Sequence, residues 1–157
     1  MNEAIRAWLE GYNSNTLHAE CMYELAMLLS EIGNKAVAYQ FLTLIQDMSV
    51  PTQGVLFIHK ELYRFYIKYQ IVCLGHQTNH AYEGYQAAKK ILFRNKNYYY
   101  RKLVLEEMSH YYNLVETDYP EDIRGLQVIA EDVLSVYPSA QVEAFAEYLA
   151  TLPATKG

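Results

Sequence analysis

Residues 19–47, AECMYELAMLLSEIGNKAVAYQFLTLIQD, carry Leu25-Ala26, Leu29, Gly33, Ala38, Leu42 and Ile45 at spacings that return about 46 residues later as Ile71-Val72, Gly75, Asn79, Gly84, Ala88 and Ile91. Apolar residues three and four apart on either side of a turn residue predict a helical hairpin. Its recurrence predicts that the hairpin is used at least twice. Each pair has more apolar face than it can bury alone, so successive pairs must stack on one another. The expected fold is all-α, a solenoid of stacked antiparallel helix hairpins with about eight helices and no strand, in a single domain over residues 1–157. The repeat-like units fall at about 19–52 and 65–97, with degenerate helices over about 98–152.

On the N-terminal side of the first hairpin, Ala4, Ile5, Trp8, Leu9 and Tyr12 predict a short helix over 2–12, ended by the polar run 13–16. The hairpin itself reads as helices over about 16–32 and 35–48, with Gly33 placed to take the left-handed conformation that closes a helix. Pro51-Thr-Gln-Gly54 reads as a loop, and a long helix over about 55–75 carries a ring of apolar residues too wide for a surface helix. A return helix over about 80–94 follows, then the polar break 95–97 and a helix over about 98–116. Pro120 with Glu121 and Asp122 marks the next helix start, where proline is tolerated and acids suit the helix dipole. Pro138-Ser139 separates that helix from a last one ending before Pro153.

With 52% hydrophobic and 20% charged residues, the 157-residue chain has ample apolar area to fold. A net charge of −5 disfavours a general nucleic-acid binder, whose affinity rests on basic residues displacing phosphate counterions. Cys21 and Cys73 both fall in amphipathic patterns and read as small buried thiols, not as a disulfide framework. The N-terminus has no basic leader with an uninterrupted apolar core, and no apolar run approaches the ~20 residues that span a bilayer. A soluble, cytoplasmic protein without membrane partners is expected.

Residues 19–52 resemble a tetratricopeptide repeat, with Leu25-Ala26, Leu29, Gly33, Ala38, Leu42 and Ile45 at its packing and turn positions. The second unit keeps Gly84 and Ala88 as the small residues, whereas Met22 and Lys68 stand where the motif favours a bulky aromatic. Tyr23-Glu24-Leu25-Ala26, Gly33-Asn34-Lys35, Ala38-Tyr39, the run from Leu56 to Tyr63 and the run from Glu83 to Leu92 extend the likeness over about 4–94. Over that span the chain resembles the tetratricopeptide-like region attached to family 2 glycosyltransferases in giant viruses and some bacteria. In that group a Phe-x-x-Lys-acid-aliphatic-Tyr run opens the long helix and Glu-Gly-Tyr opens the return helix. His59 here replaces the acid common before the Lys. The resemblance implies a helical accessory module, in the host cytoplasm if viral, with a glycosyltransferase or its complex as partner. It does not imply a transferase, because the Asp-x-Asp of such an enzyme is missing.

Two surfaces are candidates for function. In stacked hairpins the first helix of each pair lines a concave face, which here collects Glu20, Tyr23, Met27, Tyr66, Tyr69, Cys73 and His76. Tyrosine offers a large contact area at low side-chain entropy cost, so this face suits a partner-binding groove; tyrosine is also an ordinary packing residue between hairpins. The second is a basic aromatic stretch, Lys89, Lys90, Arg94, Lys96, Tyr98, Arg101 and Lys102, suited to phosphates and stacked rings or equally to a solvated turn. His76 with His80, and His18 with Cys21, have two-ligand spacing but no third ligand, so no metal is expected. Glu106, Glu107, Glu116, Asp118, Glu121 and Asp122 read as surface or helix-start residues without a nucleophile nearby. The reading favoured is a non-catalytic interaction module without cofactor, binding a protein partner through the tyrosine face. The alternatives are a glycan- or nucleotide-sugar-binding accessory unit, and a self-assembling homo-oligomeric scaffold joined through the apolar terminal helices that carry Trp8 or Phe145.

Overall fold

The computed structural model describes residues 3, 6, 19–50 and 60–153. They contain eight α-helices and no strand: α1 (Glu20–Glu31), α2 (Lys35–Ile45), α3 (Ile67–Gly75), α4 (Ala81–Arg94), α5 (Tyr98–Glu106), α6 (Tyr112–Thr117), α7 (Ile123–Leu134) and α8 (Ala140–Thr151). The chain divides into two compact units, 1–79 and 80–157. That boundary falls inside the stretch expected as the second repeat. The expected loop 51–54, Trp8, His18 and, apart from exposed helical Glu3 and Arg6, the expected helix 2–12 lie outside the described residues. Among the described residues no helix is long and apolar enough to cross a membrane.

In the first unit α1 and α2 form the expected hairpin, and α3 packs against α2. Gly33 closes α1 with φ +91°, while the Asn34 N–H donates to Leu29 O at 2.8 Å and the Gly33 N–H to Ser30 O at 3.1 Å. This is the Schellman pattern, which satisfies carbonyls that the helix end leaves bare. Leu25, Ala26, Ala38, Leu42 and Ile45 are all fully buried. Their counterparts about 46 residues on, from Ile71 and Val72 through Gly84, Ala88 and Ile91, are buried too. Asn79, the counterpart of Gly33, also has a positive φ, +63°. The two positions share a backbone requirement, met once by the residue without a Cβ and once by the residue that tolerates the left-handed region next best.

The long helix expected up to residue 75 is not uniformly α. A π-helical turn spans Leu62–Tyr66 and runs into α3. Leu62, Tyr63, Phe65 and Ile67 are all buried, a breadth that one α-helical stripe does not cover. The wider turn rotates the stripe so that these side chains share one interior.

In the second unit α5 is central, packing against α4, α7 and α8, and α7 packs on α8. The turn into α5 is made by asparagine side chains. Asn95 accepts from the Asn97 N–H at 2.9 Å, and Asn97 caps α5 by accepting from the Tyr100 N–H at 3.0 Å. Ser139 caps α8 through the Val142 N–H, and its hydroxyl donates to Glu106 at 3.0 Å. The helix expected over 98–116 is broken by a 3-10 turn, Met108–Tyr111, before α6. Met108 and Tyr111 are both buried, and the tighter turn lets the chain redirect without exposing them. Pro120 stands in a 3-10 turn that leads directly into α7, as its sequence context predicts.

Candidate functional site

The seven residues expected on the tyrosine face all lie in the first unit, and all seven are half-buried. Glu20, Tyr23 and Met27 fall at spacings of three and four along α1. Tyr66 ends the π turn, and Tyr69 and Cys73 follow on α3 at the same spacings, with His76 just past its end. The two rows meet through side chains. Burial pushes the Tyr23 phenol above its ordinary range, aided by the Glu24 charge; a Gln70 hydrogen bond opposes this, and nearby Tyr66 and Cys73 add to the rise. Buried Phe65 holds the rings in place: Tyr66 meets it edge-on at 5.0 Å between centroids, and Tyr69 stacks on it at 5.2 Å.

Tyr63 is the residue that sequence reasoning missed. Only 4% exposed, it accepts from the Ala19 N–H at 2.7 Å and donates its own hydroxyl proton to Glu20 Oε2 at 2.6 Å. It thereby ties the start of α1 to the π turn 43 residues on. Burial, then the bond to Glu20, holds its phenol well above the ordinary range. The signal was available in part, because Tyr63, Tyr66, Gln70 and Cys73 form one helical stripe. Glu20 Oε1 is buried and, among the described residues, has no hydrogen-bond partner. Cys21 and Cys73, expected to be buried thiols, are half-buried.

The basic aromatic stretch lies wholly in the second unit, and its residues have different fates. The Lys89 ammonium is 2.8 Å from Asp122 Oδ2 and lies over the Tyr119 ring at 4.8 Å. Tyr85, completely buried, donates to the same carboxylate oxygen at 2.8 Å. Lys102 pairs with Glu106 at 3.4 Å and lies 5.8 Å from the Tyr99 centroid. These two lysines are therefore tied into the unit's own packing. Lys90, Arg94, Lys96 and Tyr98 are exposed, while Arg101 is half-buried.

Three of the six carboxylates read as surface or helix-start residues have defined structural partners. Glu106 holds Ser139 and Lys102, Asp122 holds Tyr85 and Lys89, and Glu116 accepts from the Tyr148 hydroxyl at 2.9 Å. Phe145, carried by the terminal helix that the scaffold reading invokes, is 1% exposed and stacks on Tyr112 at 5.7 Å within its own unit.

The two runs that carried the family resemblance have structural work in this chain. Tyr63, from the first run, bridges Ala19 and Glu20. In Glu83-Gly84-Tyr85, the missing Cβ of Gly84 makes room for the Tyr111 hydroxyl, and Tyr85 anchors Asp122. Comparison of the chain with protein-family models, with curated proteins and with solved structures finds no match.

Proposed function

We propose that this protein is a non-catalytic helical-repeat interaction module whose tyrosine face, in the first unit, binds a segment of a partner protein. The observation that carries the reading is the half-buried Tyr23, Tyr66, Tyr69 and Cys73 group, with the Tyr66 and Tyr69 rings braced by Phe65. Rings already fixed by packing bind at small further entropy cost, and amphipathic phenols serve both apolar and polar groups of a peptide. A tetratricopeptide-like stacking is part of the proposal. Its supports are the packing of α3 on α2, the side-chain links from α3 and the π turn to α1, and the left-handed closing positions at Gly33 and Asn79.

The test is affinity capture from the native source with the full chain as bait, run beside Tyr66→Ala/Tyr69→Ala, with circular dichroism of both. A partner kept by the wild type and lost by a variant of unchanged helicity is the expected result. Equal capture by both baits removes the groove from the binding surface.

A further inference from the structure

We propose that the corner between α4 and α5, in the second unit, is a docking surface for an acidic peptide segment of a partner protein. The site is separate from the tyrosine face and does not depend on it. Residues 89–102 hold six of the chain's 13 basic residues and none of its 18 acids. Lys89 and Lys102 are neutralised by Asp122 and Glu106. Lys90, Arg94 and Lys96 are exposed, and among the described residues none of them has an ion partner.

Aromatic surface lies between these cations. Lys90, Phe93 and Arg94 share one face of α4 by spacing, and Tyr98 and Tyr99 open α5 after Lys96 and the capping Asn97. Phe93 is 44% exposed and Tyr99 46% exposed, yet both rings are held. Phe93 lies on the backbone of Gly125, its Cε1 2.8 Å from where a Cβ would stand. Tyr99 is fixed edge-on to Tyr137 at 6.1 Å and flanked by Lys102. Large exposed apolar groups between unpaired cations suit a ligand carrying both carboxylates and a bulky apolar side chain.

Charge decides between a peptide and a nucleic acid. Outside 89–102, the second unit has eleven Asp and Glu against two basic residues. A long polyanion would run from three free cations onto an acidic surface, whereas a short acidic segment meets only the basic corner.

The experiment is fluorescence anisotropy of the full chain with a labelled synthetic peptide of Glu and Asp interspersed with Leu and Phe. The same peptide with Gln and Asn for the acids is the control, and a thymidine oligonucleotide is the rival probe. The acidic peptide should bind, weaken as salt screens the pairs, and lose at least about tenfold in affinity to Arg94→Glu/Lys96→Glu. Thermal unfolding of that variant should match the wild type, since both side chains are exposed; if it does not, Lys90→Gln/Arg94→Gln replaces it. Tyr66→Ala/Tyr69→Ala should bind the peptide normally, which separates failure here from failure of the tyrosine face. Equal binding of acidic and neutral peptides, unchanged affinity in the charge variant, or tighter binding of the oligonucleotide would overturn the proposal. So would light scattering that shows a wild-type dimer lost in the charge variant, because the occupant would then be a second copy.

Discussion

A Cβ at residue 84 would overlap the hydroxyl oxygen of Tyr111 and stand 3.0 Å from its Cζ. Tyr111 is 1% exposed, so its ring has nowhere to retreat. Gly84→Ala should therefore destabilise the second unit by about 1–3 kcal/mol, the usual range for overpacking a core. Adding Tyr111→Phe removes the atom that clashes most and should restore part of that loss. A double-mutant cycle by urea unfolding measures the coupling, and additive effects would mean that the two residues do not compete for the same space. The neighbouring Tyr85 and Lys89 show how a residue's role can be hidden in sequence. Both reach Asp122, more than thirty residues away, and a lysine that reads as part of a basic patch is in fact a half-buried structural cation.

At the scale of elements, the two left-handed positions give a direct comparison. Gly33 has φ +91° and Asn79 has φ +63°. Gly33→Ala places a Cβ in the left-handed region and should cost roughly 1–2 kcal/mol. Asn79→Gly relieves the smaller strain there and should be neutral or stabilising by a few tenths, up to ~1 kcal/mol. Thermal midpoints of the two variants check both signs, and a destabilising Asn79→Gly would mean that the asparagine side chain matters more than its backbone. These turns were legible because glycine, asparagine, proline and serine act through local backbone chemistry, as Gly33, Asn97, Pro120 and Ser139 do. The π turn at Leu62–Tyr66 and the 3-10 turn at Met108–Tyr111 were not legible. Neither carries a breaker residue, and each preserves a plausible apolar stripe. The tyrosine face was readable from helical spacing on two helices. The Tyr63–Glu20 bond was not, because it depends on how those helices meet.

At the scale of the whole molecule, phenols held in their protonated form recur in both units. Tyr63 in the first unit and Tyr85 in the second are raised above the ordinary tyrosine range by burial, then by hydrogen bonds to Glu20 and Asp122. Tyr148, stacked on Tyr112 at 3.8 Å, is pushed up to about 12 by burial and by its bond to Glu116. An unfolded tyrosine ionises near pH ~10. Because the folded values are higher, the folded chain binds these protons more tightly, and the stability they contribute is whole below about pH 10. Above that point the unfolded state releases its protons first, and stability falls with each further rise in pH. For Tyr148 the fall continues to about pH 12. Urea midpoints measured by circular dichroism should therefore show no change from these phenols between about pH 7 and 9 and decline steeply above about pH 10. Tyr148→Phe should make that decline shallower, since it removes one ionisation from the linkage. A midpoint that stays level from about pH 9 to 12 would show that the phenols ionise equally easily folded and unfolded.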